Sequence, residues 1–137
     1  MNEIPLVLVI DDDSRIAAAI SLGLRSSGLR VLCAPDALEG VSMARATRPD
    51  AILMDVMMPG MEGSIAAALM KDSDELRDIP VILVSALPEE ELRARAAECD
   101  AAAWVCKPFR KVDLLRALQA ALALRQREEV EAVEFQG

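Results

Sequence analysis

Residues 6–15 read LVLVIDDDSR, so that five apolar residues run directly into three aspartates. The apolar run is too short for a helix and rich in Val and Ile, which predicts a buried strand. Three adjacent carboxylates repel one another, and burying any of them without a counter-charge is costly. The end of this strand therefore predicts a site where a positive group neutralises the aspartates.

The same pattern of a short apolar run recurs along the chain. Ala- and Leu-rich segments lie between the runs, and their apolar residues are three or four positions apart, which is typical of amphipathic helices. Ser14 and Asp36 are predicted to cap the first two helices, and Gly28 to close the first. Five strands alternating with five helices predict a doubly wound α/β domain with a parallel sheet covered on both faces. The further strands are RVLC at 30–33, AILMD at 51–55, VILVS at 81–85 and AAWVC at 102–106.

Composition bounds the class of protein. The chain has 137 residues, is 53% hydrophobic and 28% charged, and has a net charge of −8, which predicts one folded domain without a nucleic-acid surface. Its three cysteines lack zinc spacing and no histidine is present, so free thiols are expected. The N-terminal apolar run is far shorter than the ~18 residues of a membrane span, and a cytoplasmic location is expected.

Polar side chains stand at the ends of four of the five strands. In a doubly wound sheet the ligand site lies outside the carboxyl ends of the strands, where the strand order reverses. Carboxylate oxygens are the ligands that Mg²⁺ prefers. The residues brought to this edge are Asp11, Asp12 and Asp13 after the first strand, Asp55 after the third, Ser85 after the fourth and Lys107 after the fifth.

Four segments together resemble the receiver domain of two-component response regulators. They are VIDDDS at 9–14, ILMDVMMPGMEG at 52–63, VILVSA at 81–86 and WVCKPF at 104–109. The resemblance covers roughly residues 5–124, and it implies a flavodoxin-like (βα)5 sandwich with strand order 2-1-3-4-5. We therefore expect a receiver domain over residues 1–124, and an acidic helical extension or linker over residues 125–137.

The resemblance also implies roles for the residues at the strand ends. Asp55 would be the phosphoacceptor, taking a phosphoryl group from a sensor histidine kinase, a phosphotransfer protein or a small donor such as acetyl phosphate. Asp12 would bind Mg²⁺ directly and Asp11 mainly through water, while the backbone carbonyl of Met57 and the Asp55 carboxylate would complete the protein's share of the ligands. Lys107 would pair with the phosphoryl group. No enzyme acting on another substrate is expected.

A second group of residues would pass the signal on. Ser85 would hydrogen-bond the phosphoryl group and move inward, and Trp104 would fill the space that it leaves, although Trp104 taken alone is better interpreted as core filling. The bond before Pro108 would be cis, which aims Lys107 at the pocket. The surface of the fourth helix, fifth strand and fifth helix would bind an output partner or a second copy of the chain. Its charged residues are Glu89, Glu90, Glu91, Arg93, Arg95, Lys111 and Asp113.

Several alternatives remain open at the level of sequence. A haloacid-dehalogenase-type phosphatase needs a second aspartate two residues after its nucleophile, where Met57 stands. A flavodoxin-like electron carrier needs a Ser- and Thr-rich phosphate loop instead of three aspartates. A degenerate receiver would bind partners without phosphorylation. Asp13 alone is interpreted as a helix-start residue, and Cys106 as an inert small hydrophobe.

Overall fold

The computed structural model describes the backbone of residues 3–136 and the side chains of residues 3–125. Five strands alternate with five helices in these residues, as the sequence predicts. The second strand is one residue longer than predicted and the fifth begins one residue later. The elements are β1 Leu6–Ile10, α1 Ser14–Ser26, β2 Arg30–Ala34, α2 Ala37–Thr47, β3 Ala51–Asp55, α3 Gly63–Lys71, β4 Val81–Ser85, α4 Glu89–Glu98, β5 Ala103–Cys106 and α5 Lys111–Gln136.

The five strands form one parallel sheet in the order β2-β1-β3-β4-β5. Val9 of β1 lies opposite Leu53 of β3, which in turn lies opposite Ile82 of β4. The chain leaves β1 toward β2 on one side and returns to β3 on the other, so the order reverses between β1 and β3. This topology confirms the doubly wound fold and places the ends of β1 and β3 side by side.

Two apolar layers bury the sheet, one on each face. Alternate residues of β1 divide between them, because successive side chains of a strand point to opposite faces. Val7 and Val9 face the layer formed with α1 and α5, and Leu8 and Ile10 face the layer formed with α2, α3 and α4. All five residues of β3 and all five of β4 are buried. Burial on both faces explains why these strands are continuous apolar runs.

The start of α1 differs from the prediction. Asp13, not Ser14, is the N-cap, and its carboxylate accepts hydrogen bonds from the backbone N–H groups of Arg15 and Ile16. Ser14 is already the first helical residue and so cannot cap the helix from outside. The prediction for Asp36 is confirmed, since it caps α2. The interpretation of Asp13 as a helix-start residue is thereby confirmed, and Asp11 and Asp12 are left for the site.

The last helix, α5, continues to Gln136, past Arg125, the last residue whose side chain is described. The Arg125 guanidinium donates a hydrogen bond to the Pro49 carbonyl at 2.9 Å. The prediction of an acidic extension over residues 125–137 concerns side chains that, from 126 onward, lie outside the described residues. Among the described residues, no helix is both long and apolar enough to cross a membrane, and Cys33, Cys99 and Cys106 are free thiols.

Candidate functional site

Three carboxylates converge at the point where the strand order reverses. Asp11 follows β1 and Asp55 ends β3, and both are buried, with 4% and 6% of their surface exposed. Asp12 is exposed beside them. One carboxylate oxygen from each of the three lies within 4.8 Å of the others. Hard oxygen ligands converging in this way, with one side open to water, fit a divalent cation such as Mg²⁺.

Lys107 supplies the positive charge that faces these acids. Its Nζ lies 3.3 Å from Oδ2 of Asp11 and 3.6 Å from Oδ2 of Asp55. The peptide bond from Lys107 to Pro108 is cis, as the resemblance implies, and the Lys107 backbone N–H donates to the Ser85 carbonyl at 2.7 Å. The lysine is therefore fixed at the end of β5, with its ammonium group between the two buried aspartates.

Burial dominates the electrostatics of Asp55. The pKa of Asp55 is raised from 3.8 to about 6, and desolvation by burial is the largest cause. The ammonium group of Lys107 opposes the rise. Among the smaller causes of this net value, the negative charges of Asp11 and Asp12 raise the pKa and the hydrogen bond from the backbone N–H of Met57 lowers it. Ionisation of Asp55 is thus less favourable in the folded protein than in the unfolded chain.

This unfavourable ionisation predicts that Asp55→Asn stabilises the protein in metal-free buffer. The native pKa lies above the unfolded value, so the Asp55 contribution to stability is fully present below about pH 3.8 and is lost as the pH rises through about 6. At pH 8 with EDTA, the free energy of unfolding of Asp55→Asn should exceed that of the wild type by roughly 2–3 kcal/mol. The difference should shrink toward pH 4. Urea unfolding at both pH values measures it.

Asp78, an exposed aspartate in the loop before β4, offers the matched control. Asp78→Asn should change the free energy of unfolding by less than about 0.5 kcal/mol, as surface substitutions usually do. Equal stability of the wild type and Asp55→Asn at pH 8 would show that burial of the Asp55 charge is not costly.

Three further residues predicted to belong to the site or its switch lie at or near the strand ends: Ser85, Met57 and Trp104. Ser85, at the end of β4, is fully buried, and its Oγ accepts a hydrogen bond from the Leu87 backbone N–H at 3.1 Å. Met57 is 59% exposed, and its backbone N–H donates to Oδ1 of Asp55 at 3.3 Å. Trp104 lies in β5, is 37% exposed and is not part of either apolar layer. The structure thus brings Ser85 and Met57 to the site and leaves Trp104 at the surface.

Gly63 lets the loop after β3 pass close to the site. Its backbone N–H donates to the Val56 carbonyl at 2.9 Å, and a Cβ at this position would lie 2.0 Å from the backbone oxygen of Asp55. Gly63→Ala should therefore lower the free energy of unfolding by about 1–3 kcal/mol, because the backbone has to move. Thermal or urea unfolding measures the loss.

The control for this change is Gly23→Ala in α1. A Cβ there meets its nearest atom, Cδ of Lys111, at 3.8 Å, which is an ordinary contact. Alanine is the better helix former, so Gly23→Ala should leave the protein as stable or more stable. If both variants lose the same stability, the close approach of Gly63 to Asp55 is not what requires glycine.

One group of contacts was not predicted from the sequence. Glu62, the residue before α3, forms an ion pair with Arg95 of α4 and accepts a hydrogen bond from the Ser64 hydroxyl. The contacts tie the loop that follows Asp55 to α4. Glu62 and Arg95 are 33 positions apart and neither has a distinctive local pattern, so the sequence offers no signal that would pair them.

The strand order and the acidic pocket facing a lysine define a flavodoxin-like α/β domain, and comparisons with known proteins define it further. A family model of the response regulator receiver domain matches residues 7–119. The chain is 37% identical over 121 residues to the transcriptional regulatory protein PrrA of Mycobacterium leprae, covering 88% of this chain and 51% of that protein. The chain therefore belongs to the response regulator receiver family of two-component signalling.

Solved structures agree with this assignment. Chemotaxis protein CheY4 of Vibrio cholerae superposes with a TM-score of 0.81 at 28% identity, covering 87% of this chain and 99% of that one. The receiver domain of a signal transduction histidine kinase from Syntrophus aciditrophicus gives 0.80 at 30% identity, covering 87% and 90%. The family decides against a haloacid-dehalogenase-type phosphatase and an electron carrier. The chain spans about half the length of the curated relatives it matches.

Proposed function

We propose that Asp55 accepts a phosphoryl group and that its modification alters the surface formed by α4, β5 and α5. The observation that carries the proposal is the pocket itself, in which the Asp55 carboxylate lies 3.6 Å from Nζ of Lys107 and beside the carboxylates of Asp11 and Asp12. Receiver domains work with histidine kinases, and a sensor histidine kinase or a phosphotransfer protein is the proposed donor.

In the proposed phosphoryl transfer, Asp55 is the nucleophile. A carboxylate oxygen of Asp55 attacks phosphorus, an Asp55 O–P bond forms, and the bond from phosphorus to the donor nitrogen or oxygen breaks with its electrons leaving on the donor. The ionised carboxylate needs no general base, which agrees with a chain that has no histidine. Catalysis is then a matter of position and charge.

Asp11, Asp12 and Asp55, with the backbone carbonyl of Met57, would hold Mg²⁺. When bound, the ion supplies positive charge that offsets both the crowded carboxylates and the phosphoryl oxygens. Lys107 lies between Asp11 and Asp55 and would pair with the phosphoryl group. The Ser85 oxygen accepts from Leu87, so its own hydroxyl proton is left to donate to a phosphoryl oxygen.

The surface proposed for partners already contains ion pairs within the chain. Arg93 pairs with Glu89 at 3.7 Å and Arg110 with Asp113 at 3.5 Å. A homodimer on this surface would exchange such exposed pairs for new ones, each worth only about 0–1 kcal/mol. Residues 125–137 are proposed as an acidic extension or a linker to a further segment.

Incubation with acetyl phosphate tests the proposal. Wild-type protein with Mg²⁺ should gain the mass of one phosphoryl group, measured by intact mass spectrometry, and EDTA should prevent the gain. Absence of any gain with either acetyl phosphate or a phosphorylated histidine kinase would contradict the proposal and favour the degenerate receiver.

A further inference from the structure

Helix α4 is held to the domain by few apolar contacts. Of its ten residues, only Leu92 and Ala96 are buried, whereas five of the nine residues of α3 are buried. Two arginines of α4 reach its neighbours in opposite directions. Arg93 lies over the ring of Trp104 in β5, and Arg95 pairs with Glu62 before α3. Besides its two buried residues, α4 is therefore joined to β5 and to the residue before α3 by one arginine contact each.

The contact between Arg93 and Trp104 has the geometry of a cation–π interaction. Cζ of Arg93 lies 5.7 Å from the centroid of the ring, within the range at which a guanidinium is attracted to an aromatic face. Glu89 orients the same guanidinium from one turn earlier in α4, at 3.7 Å. Trp104 is 37% exposed and so lies at the surface, where Arg93 can reach its ring.

We infer that Arg93 is a positioning residue that holds Trp104 in its outward orientation and so opposes the switched state. The inference rests on the proposed function and on the switch that the family resemblance implies, in which phosphorylation draws Ser85 inward and Trp104 follows. A contact that exists only in the outward orientation stabilises only that state. Inward rotation of Trp104 breaks the contact and releases Arg93 at the exposed face of α4, so the ring movement also changes the charged surface offered to a partner.

The size of the effect follows from the contact. A cation–π interaction at an exposed site corresponds to a shift of about two- to fivefold in a two-state equilibrium. Removing Arg93 should therefore favour the switched state about two- to fivefold more than in the wild type.

Trp104 is the only tryptophan, so 5-fluorotryptophan labelling gives a ¹⁹F resonance that reports this ring alone. The full chain is titrated with beryllofluoride, a phosphoryl mimic, in the presence of Mg²⁺. In Arg93→Ala the resting resonance should lie nearer to the beryllofluoride-bound position than in the wild type. The half-saturating concentration of beryllofluoride should fall about two- to fivefold.

Two further variants separate the contact from general effects. Arg93→Lys keeps the charge and the reach toward the ring, and it should restore most of the wild-type behaviour. Arg95→Ala removes the other arginine contact of α4 without touching Trp104, and it should leave both the resting resonance and the half-saturation near the wild-type values. A shift in Arg95→Ala equal to that in Arg93→Ala would mean that loosening of α4, and not the ring contact, is responsible.

The outcomes also distinguish this inference from the proposed function. If beryllofluoride saturates the wild type and Arg93→Ala behaves identically, the role of Arg93 is wrong and the phosphorylation site is unaffected. If beryllofluoride does not bind the wild type, the proposed function fails together with the switch on which the Arg93 role depends.

Discussion

Asp55→Asn abolishes the gain of one phosphoryl group from acetyl phosphate and Mg²⁺: this is the largest effect we expect from any single substitution. An asparagine side chain has nearly the same shape but lacks the anionic oxygen that attacks phosphorus. Among the aspartates at this edge, Asp55 combines burial with the Lys107 ammonium at 3.6 Å and the hydrogen bond from Met57. Intact mass spectrometry of the wild type and the variant, treated side by side, measures the difference.

Asp13→Asn is the matched control, since it makes the same chemical change within two residues of the pocket. Asp13 caps α1 through its side chain, and asparagine is also a good N-cap. This variant should therefore be phosphorylated to the wild-type extent. A variant Asp55→Asn that still gains the full phosphoryl mass would show that another residue is the acceptor.

The second large effect concerns the lifetime of the acyl phosphate. Hydrolysis requires a water molecule that approaches in line with phosphorus. In the family, two residues flank the path of this water: one lies two positions after the phosphoacceptor, and the other lies two positions after the hydroxyl residue of β4. Here they are Met57 and Leu87, whose backbone N–H groups bond the Asp55 and Ser85 side chains. Neither side chain can orient a water molecule, so we expect slow hydrolysis. Met57→Asn and Leu87→Glu, separately or together, should accelerate hydrolysis of the acyl phosphate roughly ten- to a hundredfold. This corresponds to a decrease of about 1.4–2.7 kcal/mol in the activation free energy.

Loss of the phosphoryl mass over time, after removal of the donor, gives these rates. Met61→Asn is the control, because Met61 is also a partly exposed methionine of the loop after β3 but does not occupy either flanking position. It should leave the rate unchanged. Two results would indicate that Lys107 and the metal alone set the lifetime of the acyl phosphate. One is a wild-type protein that loses its phosphoryl group within seconds, and the other is a hydrolysis rate in the polar variants equal to that of the wild type.

Most of the fold could be predicted because each central strand is buried on both faces. Continuous apolar runs such as VILVS at 81–85 are incompatible with a half-exposed sheet, and the strand ends then locate the pocket. The interpretation of Asp13 as a helix-start residue is confirmed, but the prediction of Ser14 as the cap is wrong, since both residue types are good caps and only the backbone geometry distinguishes them. The partners of Arg93 and Arg95 depend on how α4 lies on the sheet. The mostly polar sequence of α4 has no strong apolar period from which to read that placement.

The central and edge strands of the sheet differ in burial, and this difference affects how far a response to phosphorylation spreads through the domain. All five residues of β3 are buried, but in β5, at the edge of the sheet, only Val105 is. Displacing a central strand would expose apolar surface from both layers, at a free-energy cost of about 25 cal/mol per Å². An edge strand buries less apolar surface, so its displacement costs less free energy. Asp55, the proposed phosphoacceptor, thus lies on a fully buried strand, whereas Trp104 lies on a sparsely buried edge strand. A movement of β5 can therefore stay confined to one edge of the sheet and leave the strand that carries Asp55 in place.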